Sequence, residues 1–296
     1  MNEFYMKLDK LYSAGDFSEI ESFILDAVAK AGDGSPECAG LYNELASFYK
    51  GISRYDESED AFAKSLNIFE SLGMGTTPEY ATVLLNLAGV HRLTGNAEKA
   101  IELFRDVMKR LEDTPQSYAY VSALNNLALA YQSQGDHAKA LEYAEEALKL
   151  MRVGIGSRHE IATSLNNLAA IRMSLGQPEE ADQLVSESLE IYESFEEPDA
   201  HHVAALSTKA ALQYRFGDYN GALNGFQRAL VLTHRFFGEN IEYAICKRNI
   251  SDVYAILGDK QAAMTEISDA VQIMEKLLGT DHQAVKDARK KLERLG

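Results

Sequence analysis

The chain has 296 residues, 46% of them hydrophobic and 25% charged, with a formal net charge of −16. This balance supports a packed core and argues against intrinsic disorder, while the negative charge disfavours nucleic acid and anionic membrane surfaces as partners. There is no apolar run near the ~18 residues of a membrane span and no basic-then-apolar leader at the start. The two cysteines, Cys38 and Cys246, make neither a disulfide framework nor a zinc site, so a reducing cytoplasm is the expected compartment.

Five prolines and the lack of strong alternating apolar and polar runs argue against a β fold. Apolar residues recur instead at steps of three and four, which predicts helices. In chain order one unit returns: a helix A, a turn residue, a helix B. The turn residues are Gly15, Ser53, Gly95, Gly135, Gly176, Gly217 and Gly258, at spacings of 38, 42, 40, 41, 41 and 41 residues. The repeats predicted from them span about 1–33, 37–74, 78–114, 117–155, 159–196, 199–238 and 240–279, and a lone helix over 281–295 closes the series as a cap. One domain over 1–296 is expected. The first repeat begins at the first residues, so a DNA-binding helix-turn-helix ahead of it is not expected.

The chemistry within the unit is fixed by register. Eight and seven residues before the turn stand pairs such as Leu45-Ala46, Leu87-Ala88, Leu127-Ala128 and Leu168-Ala169. Five after it stand Ala100, Ala140, Ala181, Ala222 and Ala263, and nine after it Phe62, Phe104, Phe226 and Ile267. Small residues let the two helices approach, and large ones fill the gaps. Ser53 and Ser58 depart from the turn glycine and its following alanine. Lys209 and Lys247 fall at core positions of helix A, as does Arg172, and acids of helix B are their expected partners. In the final helix Val285, Ala288, Leu292 and Leu295 form one apolar stripe, with Lys286, Asp287, Arg289, Lys290, Lys291 and Arg294 opposite. Phe4, Tyr5, Leu8, Leu11 and Tyr12 lie on or near an exposed first helix.

The pattern resembles the tetratricopeptide repeat, and the ~41-residue period with the phrase "LNNLA" is similar to the kinesin light chain subgroup. The resemblance implies an all-α, right-handed superhelical solenoid of seven repeats plus a capping helix, with helix A lining its concave surface.

No nucleotide, hydrolase or metal motif appears among the residues. His159 and His282 fall at helix entries, and the adjacent His201 and His202 point in different directions. The segment "GIGSRH" lacks a P-loop lysine and reads as a turn. No catalytic set, metal or cofactor is therefore expected, and the chain is not expected to be an enzyme.

The helix A face opposite the intra-repeat core is small, polar and nearly uncharged, as in Thr82, Asn86, Gly89 and Leu93, or Thr163, Asn167, Ala170 and Ser174. Nine residues before the turn stand Asn86, Asn126, Asn167, Thr208 and Asn249. An asparagine offers an acceptor and two donors, enough for both groups of a peptide bond. The resemblance implies that these asparagines grip an extended polypeptide in the groove; the alternative is that they bridge neighbouring A helices. Asn125 and Asn166 face sideways and suit bridging. Arg215 and Arg248 lie near this face and suit a carboxylate. A chaperone-type clamp is not expected, because Leu85, Asn125 and Asn166 stand where it needs basic residues. The expected function is a protein- or peptide-binding adaptor or peptide-responsive regulator. The alternative is an assembly protein that self-associates through its uncapped N-terminal repeat.

Overall fold

The structure, a computed structural model, describes residues 2–115 and 117–296. Among them every regular element is helical: α1 (Asn2–Ala14), α2 (Phe17–Lys30), α3 (Pro36–Gly51), α4 (Tyr55–Ser71), α5 (Pro78–Leu93), α6 (Ala97–Arg110), α7 (Tyr118–Gln134), α8 (His137–Leu150), α9 (Arg158–Ser174), α10 (Pro178–Glu193), α11 (Ala200–Arg215), α12 (Tyr219–Phe237), α13 (Ile241–Leu257), α14 (Lys260–Leu278) and α15 (Gln283–Leu295). The all-α expectation holds. Two compact units are present, residues 1–181 and 182–296. No described helix is long and apolar enough to cross a membrane.

The turns explain where helices stop and start. All seven turn residues have left-handed backbone, with φ between 62° and 84°. Among the described residues Ser53 is the one non-glycine with positive φ. In six of the seven turns the next residue's N–H reaches back to a carbonyl five residues earlier, as Asp136 N does to Tyr131 O at 3.0 Å. This wrap satisfies the last carbonyls of helix A. The same next residue then caps helix B: Asp16, Asn96, Asp136, Asp218 and Asp259 each accept from a backbone N–H three residues on. "GIGSRH" is a turn, as its composition predicts. Gly154 has φ of 103° inside a short π-helical turn after α8. Ser157 and Glu160 then close a reciprocal capping box at the start of α9.

The helices pack through their small registers. Ala100, Ala140, Ala181, Ala222 and Ala263 are all fully buried, as are Ala46, Ala88, Ala128, Ala169 and Ala210. Ser58 takes the alanine's place in α4, and its hydroxyl donates to Ala46 O at 2.7 Å. In α13 and α14 the roles exchange, and Ser251 donates to Ala263 O at 2.7 Å. Phe62, Phe104, Phe226 and Ile267 are buried alongside. The first helix is less exposed than its sequence implies: Leu8 and Leu11 are buried against Ile20, Ile24, Leu45 and Phe48, and Phe4 and Tyr12 pack on the same cluster. Tyr5 remains exposed.

Helix α15 docks as expected, with Val285 and Ala288 buried against Ile267, Val271 and Met274. Its charged face does more than meet solvent. Lys291 reaches α13, donating to Arg248 O at 2.7 Å and pairing with Asp252 at 2.8 Å, and Arg289 pairs with Glu275 at 2.7 Å.

Two outcomes check this account. Gly135→Ala is expected to cost about 1–2 kcal/mol, because a Cβ there meets no atom within 4 Å and only the backbone is strained. Ser53→Gly is expected to raise stability by up to about 1 kcal/mol, the relief of strain being partly offset by loss of the Tyr55 hydroxyl's hydrogen bond. Denaturant midpoints of the two variants should therefore move in opposite directions. Deleting residues 281–296 uncovers Ile267, Val271 and Met274, and light scattering should show association together with a lowered melting temperature.

Candidate functional site

Core cations come first, because they are not available to a ligand. Arg172 of α9 is held by Glu145 of α8 and Glu180 of α10. Lys209 of α11 donates to Asp182 at 2.6 Å and Ser186 at 3.0 Å on α10. Lys247 of α13 pairs with Glu266 and Asp269 of α14, both at 2.9 Å. Each finds acids on B helices, as its register requires.

The asparagine register is half-buried throughout, yet its members differ. Asn86 Nδ2 donates to Asn43 Oδ1 on α3 at 3.1 Å, so this asparagine bridges two A helices. Asn126 Nδ2 donates to Ser122 O of its own helix at 2.9 Å. Asn167 makes no hydrogen bond among the described residues. Thr208 Oγ1 donates to Ala204 O at 3.0 Å. Asn249 lines a small cleft of about 180 Å³ with Ala211, Tyr214, Phe226 and Asp252. Arg215 is exposed, Arg248 is half-buried, and neither guanidinium is paired with an acid among the described residues. Of the two sideways asparagines, Asn125 bridges, its Nδ2 donating to buried Ser164 Oγ of α9 at 2.8 Å, whereas the Asn166 Oδ1 is buried without a hydrogen-bond partner among the described residues.

In α3 the same register holds Glu44, nine residues before Ser53. That count was available in the sequence. Burial, the largest cause, raises its carboxyl pKa, against hydrogen bonds from Tyr5 and Asn43. A cleft of about 370 Å³ opens beside it, lined by Tyr5, Gly40, Asn43, Thr82 and Val83. Six residues further along α3 stands Lys50, whose pKa is pushed down to about 8, mainly by burial and secondly by the Arg92 charge. No group of three or more His, Cys, Asp or Glu side chains among the described residues is arranged to hold a metal ion.

The comparisons with known proteins bear on this arrangement. The family model described as the tetratricopeptide repeat matches residues 37–113, 119–194 and 244–284. The chain belongs to the tetratricopeptide repeat family. Repeats of this family generally mediate protein–protein contacts and are generally non-catalytic. The chain is similar to Protein KINESIN LIGHT CHAIN-RELATED 3 of Arabidopsis thaliana, 20% identical over 284 residues, which are 93% of this chain and 43% of that protein. It thus spans less than half the length of that relative. Among solved structures it is similar to BtubC (BKLC) from P. vanneervenii, with 23% identity, a TM-score of 0.55 and coverage of 76% of this chain and 92% of that one. A Rap protein complexed with Competence and Sporulation Factor has 14% identity, a TM-score of 0.59 and coverage of 100% and 99%. At these identities the structural likenesses show the tetratricopeptide fold.

Differences within one register are measurable. Asn86→Ala should cost about 1 kcal/mol by stranding Asn43. Asn167→Ala, with no partner to lose, should stay within about 0.5 kcal/mol of the parent. Thermal melts of the two single variants separate these outcomes.

Proposed function

We propose that the chain is a non-catalytic adaptor that holds an extended polypeptide against the face of its A helices turned away from the B helices. The observation that carries this reading is the register Asn86, Asn126 and Asn167 on α5, α7 and α9. These carboxamides are half-buried, and the Asn167 side chain has no protein partner among the described residues. A half-buried amide that the fold does not use is suited to a peptide bond, which supplies one donor and one acceptor. Small neighbours, Gly89 and Ala170, leave room for a main chain. Glu44, at the same register in α3, favours a basic or neutral residue of the ligand there. The second unit, taken by itself, carries Thr208 and Asn249 at the same register, and its acid-free Arg215 and Arg248 suit a carboxylate. The Rap protein's complex with Competence and Sporulation Factor offers a precedent of similar fold.

The experiment uses peptides selected from a random library on the full chain. Asn126→Ala with Asn167→Ala should melt within a degree or two of the parent and bind the selected peptides at least tenfold more weakly. Main-chain N-methylation of the peptide at one position should cost a similar factor, while most side-chain changes cost less. A double variant with a lowered melting temperature and unchanged affinity would refute the reading and leave the asparagines as structural.

A further inference from the structure

The third residue of the A helices α5, α7 and α13 is tyrosine: Tyr80, Tyr120 and Tyr243. In α11 that place is taken by His202. In α5 the purpose of the tyrosine is visible. Tyr80 is buried, and its hydroxyl donates to Glu70 Oε1 of α4 at 2.6 Å. Glu70 stands seventeen residues after its turn residue, and the residue seventeen after Gly176 is Glu193 of α10. The acid is therefore retained while the phenol that would reach it is missing.

An imidazole is shorter than a phenol, and neither nitrogen of His202 reaches a hydrogen-bond partner among the described residues. A cleft of about 740 Å³ opens here, lined by Tyr192, Phe195, His202, Gln227, Val231 and Leu232. Glu193 also lines it and is held by Arg228 at 3.3 Å. His202 lies flat on Tyr192, ring centroids 5.5 Å apart. It is only 5% exposed, and neither ring nitrogen makes a hydrogen bond among the described residues. Burial, and secondly the Arg228 charge, lower its pKa, so at neutral pH it offers one donor and one acceptor. A buried polar ring without partners is uncommon and calls for a ligand that supplies them. At the rim Phe195 and Val231 are exposed, the latter by 68%.

We propose that this cleft takes the phenolic side chain of a tyrosine from a partner polypeptide. The ring sits in the cleft beyond the His202 imidazole, and the hydroxyl bonds to Glu193 and His202. The volume exceeds one phenol ring several-fold, and the apolar rim receives the residues on either side of the tyrosine, which favours a polypeptide over a free phenol. The site uses none of the asparagines and stands or falls without them.

The test titrates the full chain with N-acetyl-tyrosinamide, N-acetyl-phenylalaninamide and p-cresol, following the side-chain amide signals of Asn224 and Gln227 by NMR. N-acetyl-tyrosinamide should bind at least fivefold more tightly than its phenylalanine analogue. His202→Tyr should raise the melting temperature, by filling the cleft from within, and weaken N-acetyl-tyrosinamide at least tenfold. Val231→Glu, at an exposed position that leaves folding intact, should weaken it at least threefold and decides the matter if His202→Tyr does not fold. No shift at saturating N-acetyl-tyrosinamide, an equal response to the phenylalanine analogue, or unchanged binding in the folded variants overturns the proposal. Binding of p-cresol without N-acetyl-tyrosinamide also overturns it, by assigning the cleft to free phenols.

Discussion

Helix A and helix B of each hairpin meet where side chains shrink to a methyl or a hydroxyl, and the remaining packing is arranged around that approach. A Cβ added at Gly225 of α12 would lie 2.8 Å from the Cβ of Ala210 on α11, so there is no slack at this contact. The serine at position 58 faces an alanine, and the serine at position 251 faces an alanine from the other helix; in both cases the hydroxyl finds a main-chain carbonyl. The contact thus accepts one extra atom on either helix when that atom can form a hydrogen bond. With the helices held at this distance, the large residues four positions further along helix B reach the core, and the A-helix face beyond is presented in a regular register.

Much of this was legible in the sequence, because turns and registers are local and periodic. The spacing of Gly15 through Gly258 located the left-handed turn between helix A and helix B of each hairpin, and even Ser53, with the wrong side chain, adopts the conformation its position demands. What the register alone could not give was the partner of each side chain. Asn86 and Asn167 stand at one register and behave differently. Opposite Asn86 the sideways position of the preceding A helix is Asn43, which accepts its hydrogen bond. Opposite Asn126 the corresponding residue is Leu85. Opposite Asn167 it is again an asparagine, Asn125, whose Nδ2 goes to Ser164 while its Oδ1 stays buried without a hydrogen-bond partner. The same pair of residue types thus bonds in one repeat and not in the other, a difference of side-chain conformation that no register records. Glu44 and His202 were missed too: each departs from the residue type at its register, and the departure acquires meaning only beside a structure in which the usual residue can be seen at work.

The core cations carry one more implication. Arg172 ties α9 to the helix before it and to the helix after it, whereas Lys247 finds both of its acids within its own hairpin. In a linear array, cooperativity depends on how much of each hairpin's stability resides in bonds to its neighbours. Arg172 therefore couples the opening of successive hairpins around it. The α13–α14 hairpin holds itself together and is suited to open as a separate step, its links to α15 running through Lys291, the Arg289–Glu275 pair and the buried Val285 and Ala288. Amide exchange along the chain would then be graded by the address of each ion pair as well as by burial, with slow, concerted exchange around Arg172 and an independent foldon at α13–α14.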